Sequence, residues 1–240
     1  MIRKRTTTGV AVAAAASLAA ILPATGAASA TTVGVRVEGA SKRLYEGPVN
    51  ARPVALRGNR GSYRGTYPCD VAGNGGKGGK AASPVSALAA TRLRLGLKWF
   101  PDFAGFMVET VSGELPPVSR GRYWDFFVNG KGTAALGYPG GCQLALKRGD
   151  SVVWAVTDGS ESLLSLRAAG AAGSPRVTLR VANASSGAPV AGAAVGPAGG
   201  AVTGPDGTVS VARPARGSKR LWASRAGSIR SNTVVVKARR

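Results

Sequence analysis

The chain has 240 residues, 32 Lys+Arg against 11 Asp+Glu, two Cys and no His, for a formal net charge of +21. Without histidine there is no Ser-His-Asp triad, no Cys-His dyad and no imidazole metal ligand, and two cysteines build neither a zinc site nor a cysteine-rich scaffold. A hydrophobic content of 44% is enough to bury a core, and no motif calls for a cofactor or a metal.

Residues 1–30 read as a secretory signal peptide. Arg3, Lys4 and Arg5 form a positive start, Val10 to Leu22 an apolar run, and Ala28-Ser29-Ala30 a small-x-small cleavage site ending at Ala30. The run is shorter than the roughly 20 residues that a spanning helix needs. Leu22-Pro23-Ala24-Thr25-Gly26 spells a sortase-like pentapeptide, but sortase signals lie near a C-terminus before an apolar segment, and Val234 to Arg240 supplies none. The expected product starts at Thr31, is secreted and envelope-associated, has no membrane span, and keeps 29 basic and 11 acidic residues.

A first module is expected over residues 31–167. Val33 to Glu38 alternates as a strand, and Pro53 to Arg57 is a weaker one. A glycine-rich loop then runs from Gly58 to Ala82. Ser83-Pro84 is an N-cap followed by proline at the first helical position, opening a helix over Val85, Leu88, Ala89, Arg92 and Leu93 that ends near Gly96. Phe106 to Val111, Arg122 to Val128 and Ser151 to Thr157 are further strands, with Asn129-Gly130 and Gly149-Asp150 as turns. Strands, one helix, then strands predict an α+β class. An exported chain with Cys69 and Cys142 is expected to join them in a disulfide.

A linker is expected over 168–175, then a second module over 176–240 made only of short strands: Val177–Val181, Val190–Val195, Thr208–Val211, Arg220–Ser224 and Thr233–Val236. This pattern predicts a small all-β sandwich. Charge divides unevenly. Residues 31–172 carry 18 basic and 10 acidic residues; residues 173–240 carry 11 basic residues and one acid, Asp206.

Several stretches of the first module resemble the transcobalamin-like C-terminal domain family of secreted bacterial proteins. They are Val35 to Gly39, Leu44 to Val49, Tyr123 to Lys131, and Gly149-Asp150 with Val152 and Trp154. The resemblance implies a β-grasp-like fold of the soluble-ligand-binding type. The animal relatives bind cobalamin with a large helical domain that this chain lacks, so cobalamin binding does not carry over. The second module is similar to carboxypeptidase regulatory-like or transthyretin-like Ig-type sandwiches, through Gly187 to Ala193 and Thr203 to Gly207. In that family the pattern implies an accessory domain.

Candidate site residues follow from strand alternation. Trp124, Phe126 and Val128 share one face of their strand, Tyr123, Asp125 and Phe127 the other. Trp124 and Trp154 are expected in the core. A four-stranded sheet with one helix leaves a face on which Tyr123 and Phe127 are either covered by the second module or open to a ligand, with Asn129 and Lys131 at the adjoining turn. Trp99, with Phe100, Phe103 and Phe106, either plugs the core or stacks a sugar or planar ligand. No two acids are placed together by a motif, so no catalytic residue is named. The basic surplus fits anionic envelope polymers or lipid headgroups, or plain solvated charge; no nucleic-acid motif accompanies it, and no nucleic-acid partner is expected. The function expected is a secreted, non-catalytic binding or adhesion protein taking a small ligand or glycan. The alternatives are a carboxylate-dependent hydrolase of envelope polysaccharide and a structural surface spacer.

Overall fold

The computed structural model describes residues 30–169, 174–196 and 200–238; the signal-peptide reading falls, Ala30 apart, outside them. Strands dominate. The expected α+β class is corrected to an essentially all-β one, because the single α-helix among the described residues is only seven residues long. That helix, α1 (Pro84–Ala90), starts as its sequence dictates: Ser83 and Ser86 form a reciprocal capping box and Pro84 occupies the first turn. It stops well short of Gly96. Thr91 closes it, and Arg92 adopts a left-handed backbone with φ 62°.

The first module contains β1 (Thr31–Glu38), β2 (Arg43–Ala51), β3 (Val54–Gly58), β4 (Gly65–Cys69), β5 (Leu95–Phe100), β6 (Gly105–Val111), β7 (Tyr123–Val128), β8 (Lys131–Gly132) and β9 (Ser151–Thr157). Five of these form one sheet in the order β2-β1-β9-β7-β8, not the four-stranded sheet expected. The β1–β9 pair is parallel and its neighbours are antiparallel. Alternation sends Val35, Val37, Trp124, Phe126, Val152 and Trp154 to the face that α1 covers through Val85 and Leu88. Trp154 donates its indole N–H to Pro84 O at 3.1 Å, fixing the helix to the sheet. The β3–β4 and β5–β6 hairpins complete this core with Leu97, Trp99 and Phe106. Cys69 at the end of β4 and Cys142 before β9 form the disulfide, Cα–Cα 4.9 Å.

The second module starts earlier than its sequence suggests. β10 (Ser162–Ala169) lies in residues assigned to the first module and the linker. It pairs with β11 (Arg176–Asn183) and places Leu164 and Leu166 in the second core. The remaining strands are β12 (Ala194–Val195), β13 (Thr208–Ala212), β14 (Ser218–Leu221), β15 (Ala223–Ser224), β16 (Ser228–Ile229) and β17 (Val234–Lys237). A four-stranded sheet β13-β11-β10-β16 faces the small pairs β12–β15 and β14–β17 across Leu179, Val181, Val195, Leu221 and Val236.

The two modules share a packed boundary. Phe127, Val153 and Ala155, on the sheet face turned away from α1, pack with Leu163 and Ile229. Around this contact lies an ion-pair network. Glu38 accepts from Arg43 Nε at 2.6 Å and from Arg230 Nε at 2.8 Å, and Arg230 also donates to the Ser41 and Gly39 carbonyls. Glu46 accepts the Thr233 amide at 2.8 Å and pairs with Arg43, which also donates to Thr233 Oγ1. Gly130 sits against Ala184 so closely that a Cβ would lie 2.3 Å from its carbonyl oxygen.

Candidate functional site

The sequence-derived candidates do not converge on one surface. Phe127 is only 8% exposed and belongs to the intermodule contact, so of the two alternatives for its face the structure has the second module covering it. Tyr123, at the other end of the same strand, is 44% exposed. Partial burial, then the nearby Asp125 and Asp158 carboxylates, raise its hydroxyl pKa. Asn129 is spent on local structure. Its side chain donates to Asp150 Oδ1 and accepts the Ser151 amide, both at 2.9 Å, while its φ of 51° followed by 83° at Gly130 makes the tight hairpin turn. Lys131 is exposed on β8 beyond that turn. Trp99 lies in the core, stacked on Tyr67 at 4.3 Å and edge-on to Phe106 at 4.9 Å.

The structure instead assembles an aromatic groove of about 390 Å³ lined by Phe100, Phe103, Phe106, Met107, Tyr138 and Gln143, with Gly105 and Gly140. Phe103 and Tyr138 are 72% and 78% exposed, large rings left in water at a concave surface. Phe100 meets Phe103 edge-on at 6.4 Å, and the Lys98 ammonium lies 4.8 Å over the Phe100 ring. Phe106 also lines the groove and packs edge-on against its cross-strand partner Trp99, so the candidate Trp99 buttresses this surface from the core.

Two loops carry the rings, and both are fixed. The Phe103 loop follows Pro101 and turns at Ala104, whose φ of 43° is left-handed. Asn74, fully buried, holds it by donating to Ala104 O at 2.7 Å. Gln143 ties the second loop to the first, donating to Phe103 O at 3.1 Å while accepting the Gly140 amide at 2.8 Å. Gln143 follows the disulfide residue Cys142, and Tyr138 has a left-handed φ of 54°. Non-glycine residues in that region cost about 1–3 kcal/mol each and persist where the surroundings enforce them. The exposed rings are therefore presented on backbone that is already ordered.

Acidic groups are arranged differently. Glu38 and Glu46 are brought onto one guanidinium, that of Arg43, in the intermodule network. Burial works to raise Glu46, but hydrogen bonds from Thr233 and the nearby Arg43 and Arg36 outweigh it and hold the carboxyl below its ordinary range. Asp125 goes the other way: burial raises it, against hydrogen bonds from Thr133 and the Phe126 amide. Met107 and Tyr138 carry no motif; Gly137 and Pro139 mark a loop around Tyr138 but do not say where its ring points.

On the second module Arg176, Arg180, Arg216, Lys219, Arg225 and Lys237 are exposed. Among the described residues no helix is long and apolar enough to cross a membrane, and no group of His, Cys, Asp and Glu could hold a metal. Comparison of the chain with family models, with curated proteins and with solved structures found no match.

Proposed function

We propose that the protein is a non-catalytic binding protein of the cell envelope that holds a glycan on the groove between Phe103 and Tyr138. The observation that carries this reading is the exposure of two large rings on loops fixed by Asn74, Gln143 and the disulfide. Sugar rings stack on aromatic faces through their C–H surfaces, and a pre-ordered platform loses little entropy on binding. The basic second module supplies attachment to anionic envelope polymers, and the residue 1–30 pattern supplies export.

Two measurements test the reading. Soluble envelope oligosaccharides are titrated against the full chain and against Phe103→Ala with Tyr138→Ala. Loss of binding with an unchanged melting temperature is expected; unchanged binding in the double variant overturns the glycan site. Retention on anionic polymer is measured against salt for the full chain and for Arg216→Glu with Lys219→Glu. Exposed charges are screened within about 8 Å at physiological ionic strength. Retention should fall steeply with salt and fall further in the variant; salt-independent retention refutes charge-based attachment.

A further inference from the structure

A second cavity, of about 270 Å³, opens between the modules, and its chemistry is unlike that of the aromatic groove. One wall is the sheet face turned from α1, with Arg36, Ser151 and Val153. The other is the second module, with Leu163 and Leu164. Arg36 is only 6% exposed, yet among the described residues its Nε and Nη1 have no hydrogen-bond partner.

The charges around it show why. Three guanidinium groups, of Arg36, Arg43 and Arg230, meet two carboxylates, Glu38 and Glu46, with the exposed Arg220 4.0 Å from Glu46. Arg43 and Arg230 take the short contacts to Glu38, and Arg43 and the Thr233 amide take Glu46. Arg36 is left 3.6 Å from Glu38 Oε1, too far for a hydrogen bond. A buried cation in that position is costly unless an anion completes its hydrogen bonding. Burial, opposed by Glu38, already brings its pKa down to about 10. Asn232, on the same cavity, does not complete it: its amide is turned to the Leu166 backbone.

We propose that this intermodule cavity binds a small aliphatic carboxylate, its carboxylate on the Arg36 guanidinium and its hydrocarbon part against Val153 and Leu163. The planar guanidinium matches a carboxylate with paired N–H donors, and the apolar wall selects against a fully hydrated inorganic ion. The site is independent of the glycan groove.

The test uses acetate, butyrate and hexanoate with the full chain at constant ionic strength, and butyramide as the neutral isostere. Binding is followed by ligand-observed NMR and by the Arg36 side-chain N–H resonance. Saturable binding of butyrate or hexanoate, stronger than of butyramide, is expected. Arg36→Met should weaken it by roughly thirtyfold or more, as truncation of a buried charge partner does, without lowering the melting temperature. Ser151→Phe, a substitution at the exposed mouth of the cavity that leaves Arg36 in place, should also block binding. The proposal is overturned if none of the three carboxylates saturates, if butyramide binds as well as butyrate, or if both variants bind like the parent; the cavity then holds water on Arg36.

Discussion

Replacing Phe127 and Tyr123 separately by alanine discriminates between a packed intermodule boundary and an open sheet face. Both rings lie on the same side of β7, but Phe127 is 8% exposed against Val153, Leu163 and Ile229, and Tyr123 is 44% exposed. An aromatic side chain buries about 150–250 Å². At about 25 cal/mol per Å² the whole side chain is worth roughly 4–6 kcal/mol, and the Cβ that alanine keeps together with the compactness of real unfolded chains trims the loss toward about 3 kcal/mol. Tyr123→Ala should cost about 1 kcal/mol or less. Urea unfolding followed by tryptophan fluorescence reads both, since Trp124 and Trp154 lie on the opposite face of the same sheet. At 2–4 °C per kcal/mol for a chain of this size, Phe127→Ala should melt roughly 6–12 °C below the parent. Equal, small effects of the two substitutions would refute the boundary described above.

Other expectations follow from the same geometry. Reducing Cys69–Cys142, which closes a separation of 73 residues, should remove about 4 kcal/mol on the loop-entropy account; thiol titration of unreduced, denatured protein should find no free thiol. Acid should loosen the intermodule contact. The Glu46 carboxyl is held below its ordinary 4.5, so its contribution is complete above that pH and is lost as pH falls through the lowered folded value. Stability measured from pH 7 to pH 3 should therefore decline at the acid end, and Glu46→Gln should flatten that decline. Gly130→Ala meets both a left-handed φ of 83° and the Ala184 carbonyl, and should cost about 2 kcal/mol in chemical denaturation; a neutral result would mean that the β7–β8 turn does not touch the second module.

Ser151–Thr157 and Tyr123–Val128 are legible as strands because they are short runs rich in β-branched and aromatic residues bounded by turn signals, although β9 is buried on both faces and does not alternate. β2 has no strand pattern in its sequence. Its Leu44-Tyr45-Glu46-Gly47-Pro48 run does not alternate, and Pro48 argues against a central strand. The position is tolerated because β2 is the edge of its sheet. The sequence predicts a longer helix because Arg92 and Leu93 continue its period, whereas Arg92 adopts a left-handed backbone ahead of the β5–β6 hairpin. β10 is hard to delimit from sequence because its Ala168-Ala169 end blends into the small residues after it. The site residues show a deeper limit. Periodicity tells which side chains share a face, but not what lies over that face. Phe127 owes its burial to partners such as Leu163 and Ile229, and those contacts have no local signature.

The order in which the chain is made bears on the intermodule network. A chain synthesised from its N-terminus has completed β1 and β2 long before β9 exists, and β1 cannot gain its parallel neighbour until residues 151–157 emerge. Glu38 waits longer still, since its ligand Arg230 lies 192 residues downstream. Contacts of such sequence separation slow folding, because loop closure must precede any gain from them. Until then the Phe127 face is apolar surface without a lid, open to proteases and to self-association. A chain interrupted before residue 230 keeps its first core, yet lacks the arginine that seals it.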